Sequence, residues 1–382
     1  MTVFVRLALA ALVGTLPAGI AMSQEVKLPT QLALTAYDTG TSGFNITVAI
    51  GQQLKKYGTD VRVLPAGNDT SRLAPMRAGR AAASAMGVGA YYAQEATFEF
   101  SSKEWGPQAL RMLLNTTSCN GTALAVAKDT GVKVLADLKG KRVGVVVGSP
   151  ALTQNALASL AFANLGKNDV KLVEFSSFGA MWKGMLNNDV DAAFASTITG
   201  QTKELETSPR GIVWPPTPAS DTAGWARITK IAPFLTPAKA TCGSGGISKT
   251  NPIELPSLPY PIFMTYASQS DELAYGLTKA MIEQYPHYKD AAPGADGLAL
   301  DKQTLNWVLP WHAGAVKALK EAKAWTPTAE AHNNALVKRQ ELLAEAWKTY
   351  VATKPADDKF AEGWRAARAT ALRKVGLDVV FD

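Results

Sequence analysis

Along the chain, short apolar runs alternate with polar, glycine-rich turns and with stretches whose apolar positions recur every three or four residues. Gln31–Tyr37 is an apolar run that predicts a buried strand. Ile46, Ile50 and Leu54 then fall on one stripe, which predicts a helix from Ile46 to Tyr57. The pattern repeats: a strand at 61–64, a polar loop at 65–70, a short helix to Arg77 and a small-residue strand at 81–86. A third unit begins at Thr122–Ala127. It continues through the Val-rich strand after Gly140, a helix at 151–165, a strand at 170–175, a helix at 177–187 and a strand at 190–195. Strands alternating with helices predict mainly parallel sheets, whose ligands lie beyond the carboxyl ends of the strands.

The segment from Pro209 to Pro261 is rich in proline and reads as the return to the first lobe. Beyond it the pattern is helical, at 271–285, 311–321 and through the tail from Pro327. In the tail, Ala335, Leu336, Leu342, Leu343, Ala346 and Trp347 predict one apolar face, and Phe360, Trp364, Ala367 and Leu372 another. The expected division is 24–117 with 241–326 for lobe 1, 118–240 for lobe 2, and 327–382 for a helical extension packed on lobe 1.

The first residues form a separate unit. Arg6 precedes the apolar stretch Leu7–Ile20, and Ala21-Met22-Ser23 has the form of a cleavage site. Residues 1–23 are therefore expected to be a secretory signal, with the mature chain starting at Gln24 in an oxidising, periplasmic setting. There an even cysteine count permits one disulfide, between Cys119 and Cys242; two separate buried thiols are the alternative. A bridge would close a loop of about 120 residues, worth about 4–5 kcal/mol in the chain-entropy model.

Charge and chemistry narrow the function further. The 39 Lys+Arg against 32 Asp+Glu make a mildly basic chain, with the excess scattered. No basic block interleaved with aromatics suggests a nucleic-acid partner. The three histidines belong to no metal or nucleophile motif, and no C-x-x-C, G-x-S-x-G or P-loop occurs. No enzyme, metal or cofactor is expected.

Thr39-Gly40-Thr41-Ser42-Gly43 stands between a strand end and a helix start, where free N–H groups and the helix dipole favour an anion. An ordinary capped turn is the competing reading. Asn68, Asp69 and Thr70 hold the equivalent place on the second loop, although N-capping explains Asp69 equally well. Arg72 is either a two-pronged clamp for a carboxylate or a solvated helix residue. From the other lobe the candidates are Ser149, Thr153, Phe178 and Ser196, with core packing as the alternative for Phe178. Trp182 and Trp225 are either cleft walls or core.

Four passages together resemble the TAXI-type solute receptors of TRAP (tripartite ATP-independent periplasmic) transporters. They are Thr39-Gly40-Thr41-Ser42-Gly43; the turn Leu135–Val143; Phe178-Gly179 with Asp189–Phe194; and Pro310-Trp311-His312-Ala313-Gly314-Ala315. The resemblance spans residues ~30–320. It implies a type II periplasmic-binding-protein fold, with two α/β lobes, two hinge crossings and a cleft that closes on its ligand. It implies a periplasmic receptor for a small organic acid or amino acid that delivers it to a TRAP-type permease, more as a monomer than a dimer. A secreted ligand sensor is the alternative. Gly148-Ser149-Pro150-Ala151 departs from the family's G-S-G-T and puts the usual carboxylate contacts of that loop in doubt.

Overall fold

The computed structural model describes residues 25–381. The expected secretory signal lies outside the described residues. The first strand, β1 (Gln31–Ala36), is followed by α1 (Ser42–Leu54), β2 (Asp60–Pro65), α2 (Asp69–Arg77), β3 (Ala83–Met86), α3 (Gly89–Glu95) and β4 (Leu110–Asn115). The chain then crosses to a second sheet through β5 (Thr122–Ala127), β6 (Arg142–Val146), α4 (Pro150–Phe162), β7 (Lys171–Phe175), α5 (Phe178–Leu186), β8 (Ala192–Ser196), α6 (Gly200–Thr207) and β9 (Ile212–Val213). Helix α7 (Thr222–Ile231) and the strands β10 (Thr236–Ala240) and β11 (Ile253–Ser257) precede the return by β12 (Ile262–Tyr266). Helices α8 (Asp271–Tyr288), α9 (Ala313–Glu321), α10 (Pro327–Ala352) and α11 (Phe360–Lys374) complete the chain.

The two five-stranded sheets share one plan. The orders are β2-β1-β3-β12-β4 and β7-β6-β8-β5-β9. In each, the strand that has just crossed from the other lobe inserts antiparallel between its third and fourth strands: β12 between β3 and β4, and β5 between β8 and β9. The remaining neighbours are parallel. This is the type II periplasmic-binding-protein arrangement, and it points the strand ends and helix starts of both lobes at one cleft.

Local chemistry explains the element limits. Helix α1 buries Ile46, Ile50 and Leu54 on one face, as the spacing predicts. It starts four residues earlier than the stripe alone suggests, because the Thr41 side chain caps it by accepting the Phe44 N–H. Ser42 and Gly43 are thus helical rather than loop residues. Several elements had no clear pattern, among them α3, β4 and β12, and also α6, α7 and β9 to β11 in the stretch from Gly200 to Ser257. Leu110–Asn115 and Ile262–Tyr266 are short strands, almost wholly buried, so no alternation marks them.

The return to lobe 1 comes later than residue 241. Strands β10 and β11 pair as an antiparallel ribbon, and its Ala240, Ile247, Ile253 and Leu255 pack into the lobe 2 core beside Trp214 and Met181. The crossings therefore fall near residues 116–121 and 258–261. Cys119 in the first is joined by a disulfide to Cys242 in the ribbon, with Cα atoms 5.5 Å apart.

The tail packs on lobe 1, with Phe360, Trp364 and Leu372 of α11 buried as expected, but the buried face of α10 is more polar than the expected one. Ala335 is exposed, whereas Asn333, Arg339, Gln340 and Leu343 are buried. Arg339 and Arg368 both bond the buried carboxylate of Glu95 on α3, at 2.7 and 3.0 Å. Trp364 donates its indole N–H to the Ala96 carbonyl at 2.8 Å. Pairing of buried charges, which hydrophobic periodicity cannot register, takes part in this docking beside the buried Phe360, Trp364 and Leu372.

Candidate functional site

Between the lobes lies a cavity of about 60 Å³. At about 30 Å³ per water, that is room for about two. Lobe 1 contributes Tyr37 after β1, Thr41 at the start of α1, Gly67, Asp69 and Arg72 around the start of α2, and Gly87-Val88 after β3. Lobe 2 contributes Ser149, Ala151, Leu152 and Asn155 from the start of α4, Phe178 from α5, and Phe194 to Ser196 with Thr199 at the end of β8. Leu258 and Tyr260, on the returning crossing, close one side.

The lobes meet around this cavity through polar contacts. Three lobe 2 helices turn the unpaired N–H groups of their first turns onto lobe 1 acceptors. Ala151 of α4 donates to Asp69 Oδ2 at 2.9 Å, and Gly179 of α5 to Asp38 Oδ2 at 2.8 Å. Gly200 of α6 donates to the Gly40 carbonyl at 3.3 Å. Three further bonds cross the cleft: Phe178 N–H to Gly67 O, Thr70 N–H to Gly148 O, and Gln201 Nε2 to Thr39 O. Backbone N–H groups at a helix start have no partner within the helix and sit at the positive end of its dipole, so each carboxylate suits its place.

Arg72 is held on every side but one. Its guanidinium lies 3.8 Å over the Tyr37 ring, bonds the Ala66 carbonyl through Nη1 at 2.9 Å and pairs with Asp69 Oδ1 through Nη2 at 2.8 Å. Only Nε has no partner among the described residues. Ser149 Oγ and Asn155 Oδ1 are likewise buried without partners. These three atoms belong to residues only 2, 1 and 4% exposed, respectively, so water does not satisfy them from bulk. Burial raises the Tyr37 phenol well above its usual pKa and pushes Tyr260 up to about 12, so both stay protonated.

Six of the residues picked from sequence line the cavity: Thr41, Asp69, Arg72, Ser149, Phe178 and Ser196. Their local roles change the picture. The Thr41 hydroxyl is already engaged, donating to the Asp38 carbonyl at 2.7 Å and accepting from Phe44 N. Asn68, not Asp69, caps α2, its Oδ1 accepting the Ser71 N–H at 2.8 Å. Arg72 is neither solvated nor a free fork, since Asp69 and Ala66 use both ends of its guanidinium. Ser196 accepts a bond from Asn120 Nδ2 at 2.9 Å.

The other seven lie off the cavity wall. Thr39 and Gly40 join the lobes through their carbonyls, and Asn68 and Thr70 form the α2 start opposite Gly148. Ser42 is buried beside the Tyr260 hydroxyl, and Gly43 is packed against the Tyr37 ring. Thr153 lies on the first turn of α4, its N–H donating to Ser149 O. Trp182 and Trp225 belong to the lobe 2 interior, Trp182 beside Phe178 and Trp225 against Phe162.

Several wall residues escaped the sequence reading. Asn155 carried the clearest signal: one of two adjacent amides, with Gln154, in a helix of mainly small and apolar residues, one turn beyond Ala151. Tyr260 and Leu258 carried none, because they sit in a proline-flanked crossing without periodicity.

Solved structures similar to this chain include an ancestral arginine-binding protein bound to arginine, at 18% identity over 69% of this chain and 96% of that one, with a TM-score of 0.38. An amino acid ABC transporter substrate-binding protein, AbpA from Streptococcus pneumoniae, bound to L-arginine, is 14% identical over 72% and 94%, with a TM-score of 0.42. The alkanesulfonate-binding protein SsuA from Xanthomonas axonopodis pv. citri, bound to MOPS, is 17% identical over 86% and 96%, with a TM-score of 0.41. The NMT1-like family model matches residues 34–322, which takes in both sheets and the cavity, and the chain belongs to that family.

Proposed function

We propose that this chain is an exported solute receptor that captures a small organic acid or amino acid between its lobes and delivers it to a TRAP-type permease. The observation that carries the reading is the cavity itself. It is walled from both lobes, bridged by six hydrogen bonds, and holds buried polar atoms that lack a partner. Such a site binds by closing, and a ligand that favours the closed form stabilises it. The reading assigns the cavity to capture and release, with no bond made or broken.

Support for the TRAP-type partner comes from the four sequence passages and their order. Support for export comes from the charged, apolar and small-residue pattern of residues 1–23. The usual second-lobe carboxylate contact is altered, because Asp69 takes the N–H of Ala151 that a solute would otherwise meet.

The test is a thermal-shift and calorimetric survey of organic acids and amino acids on chain that has been unfolded, stripped and refolded. A solute at 100 times its Kd adds about 2.7 kcal/mol of stability. Saturable one-to-one binding is the expected result. Sodium-driven uptake of that solute into vesicles carrying a TRAP-type permease, dependent on this chain, tests the partner. A folded chain that no solute stabilises would overturn the receptor reading.

A further inference from the structure

The balance of charge around the cavity narrows the solute, on the premise that the cavity is the receptor's binding site. Arg72 and Asp69 are the charged residues of its wall, and they pair with each other at 2.8 Å while both are almost wholly buried. The second Asp69 oxygen is neutralised further by the start of α4. The wall is therefore already balanced before a solute arrives. A solute carrying net charge would leave that charge uncompensated in a water-poor space, which is strongly unfavourable.

The unpartnered atoms describe the complement. Arg72 Nε is a donor and Ser149 Oγ can donate, so together they suit a carboxylate. Asn155 Oδ1 is an acceptor and suits an N–H donor. Val88, Leu152, Phe178, Phe194 and Leu258 supply the apolar part of the wall, beside the hydroxyl residues Thr41, Thr122, Ser196 and Thr199. We infer that the solute is a net-neutral zwitterion, a small aliphatic amino acid. Its carboxylate meets Arg72 Nε and Ser149, its ammonium meets Asn155, and its short apolar body faces the aromatic and aliphatic wall.

Titration calorimetry on the refolded full chain tests this with four probes: L-alanine, propionate, ethylamine and succinate. Alanine is expected to bind at least tenfold more tightly than propionate or ethylamine, and succinate more weakly still. Two variants with circular dichroism matching the parent then separate the contacts. Asn155→Ala should bring the alanine-to-propionate ratio towards one, whereas Ser149→Ala should weaken both by a similar factor. Succinate or propionate binding as tightly as alanine would overturn the zwitterion assignment and leave the receptor reading standing. An Asn155→Ala chain that keeps the full ratio would also overturn it. Failure of any organic acid or amino acid to bind the folded chain would overturn both readings.

Discussion

Asp69 of lobe 1 accepts the backbone N–H of Ala151 of lobe 2 at 2.9 Å, while its other oxygen pairs with Arg72 at 2.8 Å. One carboxylate thus does two jobs, balancing a buried guanidinium and occupying the start of α4. A Cβ added at Gly89 would approach the Asp69 carboxylate to 2.6–2.8 Å, so the neighbouring α3 also packs closely upon it. The link between solute and closure therefore runs through a group that belongs to the protein.

Asp38 provides a way to alter closure without touching the cavity wall. Its carboxylate accepts Gly179 N–H at the start of α5, and it is not among the residues that line the site. Charge-assisted bonds of this kind contribute about 1.5–3 kcal/mol. Asp38→Ala should raise the solute Kd about tenfold or more, mainly through faster release, and should increase the radius of gyration in solution scattering. Unchanged release kinetics would show that this contact does not hold the lobes together.

The Cys119–Cys242 bond closes a long loop, its cysteines separated by 123 positions, and ties the first crossing to the ribbon. The chain-entropy model gives about 4–5 kcal/mol for a loop of this length. Replacing both cysteines by serine should lower the melting temperature by several degrees. Differential scanning calorimetry of the double variant checks this, and an unchanged midpoint would assign the bridge no stabilising role.

Glu95 is the counterpart of two buried guanidiniums, Arg339 and Arg368, and joins the tail to lobe 1. Removing one partner of a buried ion pair costs about 3–5 kcal/mol. Glu95→Gln should lower the melting temperature by several degrees while leaving solute affinity of the folded fraction within about twofold. Parent-like thermal stability in that variant would mean that the tail is held by its apolar contacts alone.

How far the site was legible in the sequence follows from the kind of signal each part leaves. Ile46, Ile50 and Leu54 announce α1, and the loops after β1, β2 and β8 lie at the cleft as strand–helix alternation implies. Asp69, Arg72, Ser149 and Phe178 were reachable because they sit at those helix starts. What they do was legible only in part: Asp69 and Arg72 pair at i,i+3 on one helix, whereas the Asp69 bond to Ala151 depends on how the two lobes meet. Tyr260 and Leu258 come from a crossing whose position only the folded ribbon determines. The polar face of α10 escaped for a related reason: Arg339 and Gln340 are buried by partners on α3 and β4 far away in sequence.

His312 gives the protein a defined sensitivity to acid. Burial lowers its pKa below the ordinary histidine value, and the geometry fits a neutral ring, with Nδ1 accepting Gly314 N–H at 3.2 Å and Nε2 facing the Gln269 carbonyl at 3.1 Å. The unfolded chain therefore binds this proton more readily. Stability from this group is complete above the ordinary histidine value and declines as pH falls from there towards the lower folded value. His312→Gln should flatten the fall in melting temperature between about pH 7 and pH 5. An equally steep fall in the variant would assign the acid sensitivity to other groups.

Gly67 offers a steric test of closure that complements Asp38. A Cβ built on Gly67 would stand 2.5 Å from Ser177 Cβ across the cleft and 3.3 Å from both Asp38 oxygens in its own lobe, where the carboxylate has room to turn aside. Its backbone is not in the positive-φ region, so alanine is tolerated locally. Gly67→Ala should therefore fold normally yet meet lobe 2 only on closing. Overpacking of this kind costs about 1–3 kcal/mol, which falls on the closed form alone. Solute affinity should drop by about tenfold, solution scattering should show a more open chain, and circular dichroism should match the parent. If affinity and dimensions both stayed at parent values, the lobes would have to bind solute without approaching as closely as they do here. The Phe178 N–H bond to Gly67 O, at 3.0 Å, would then be incidental to capture.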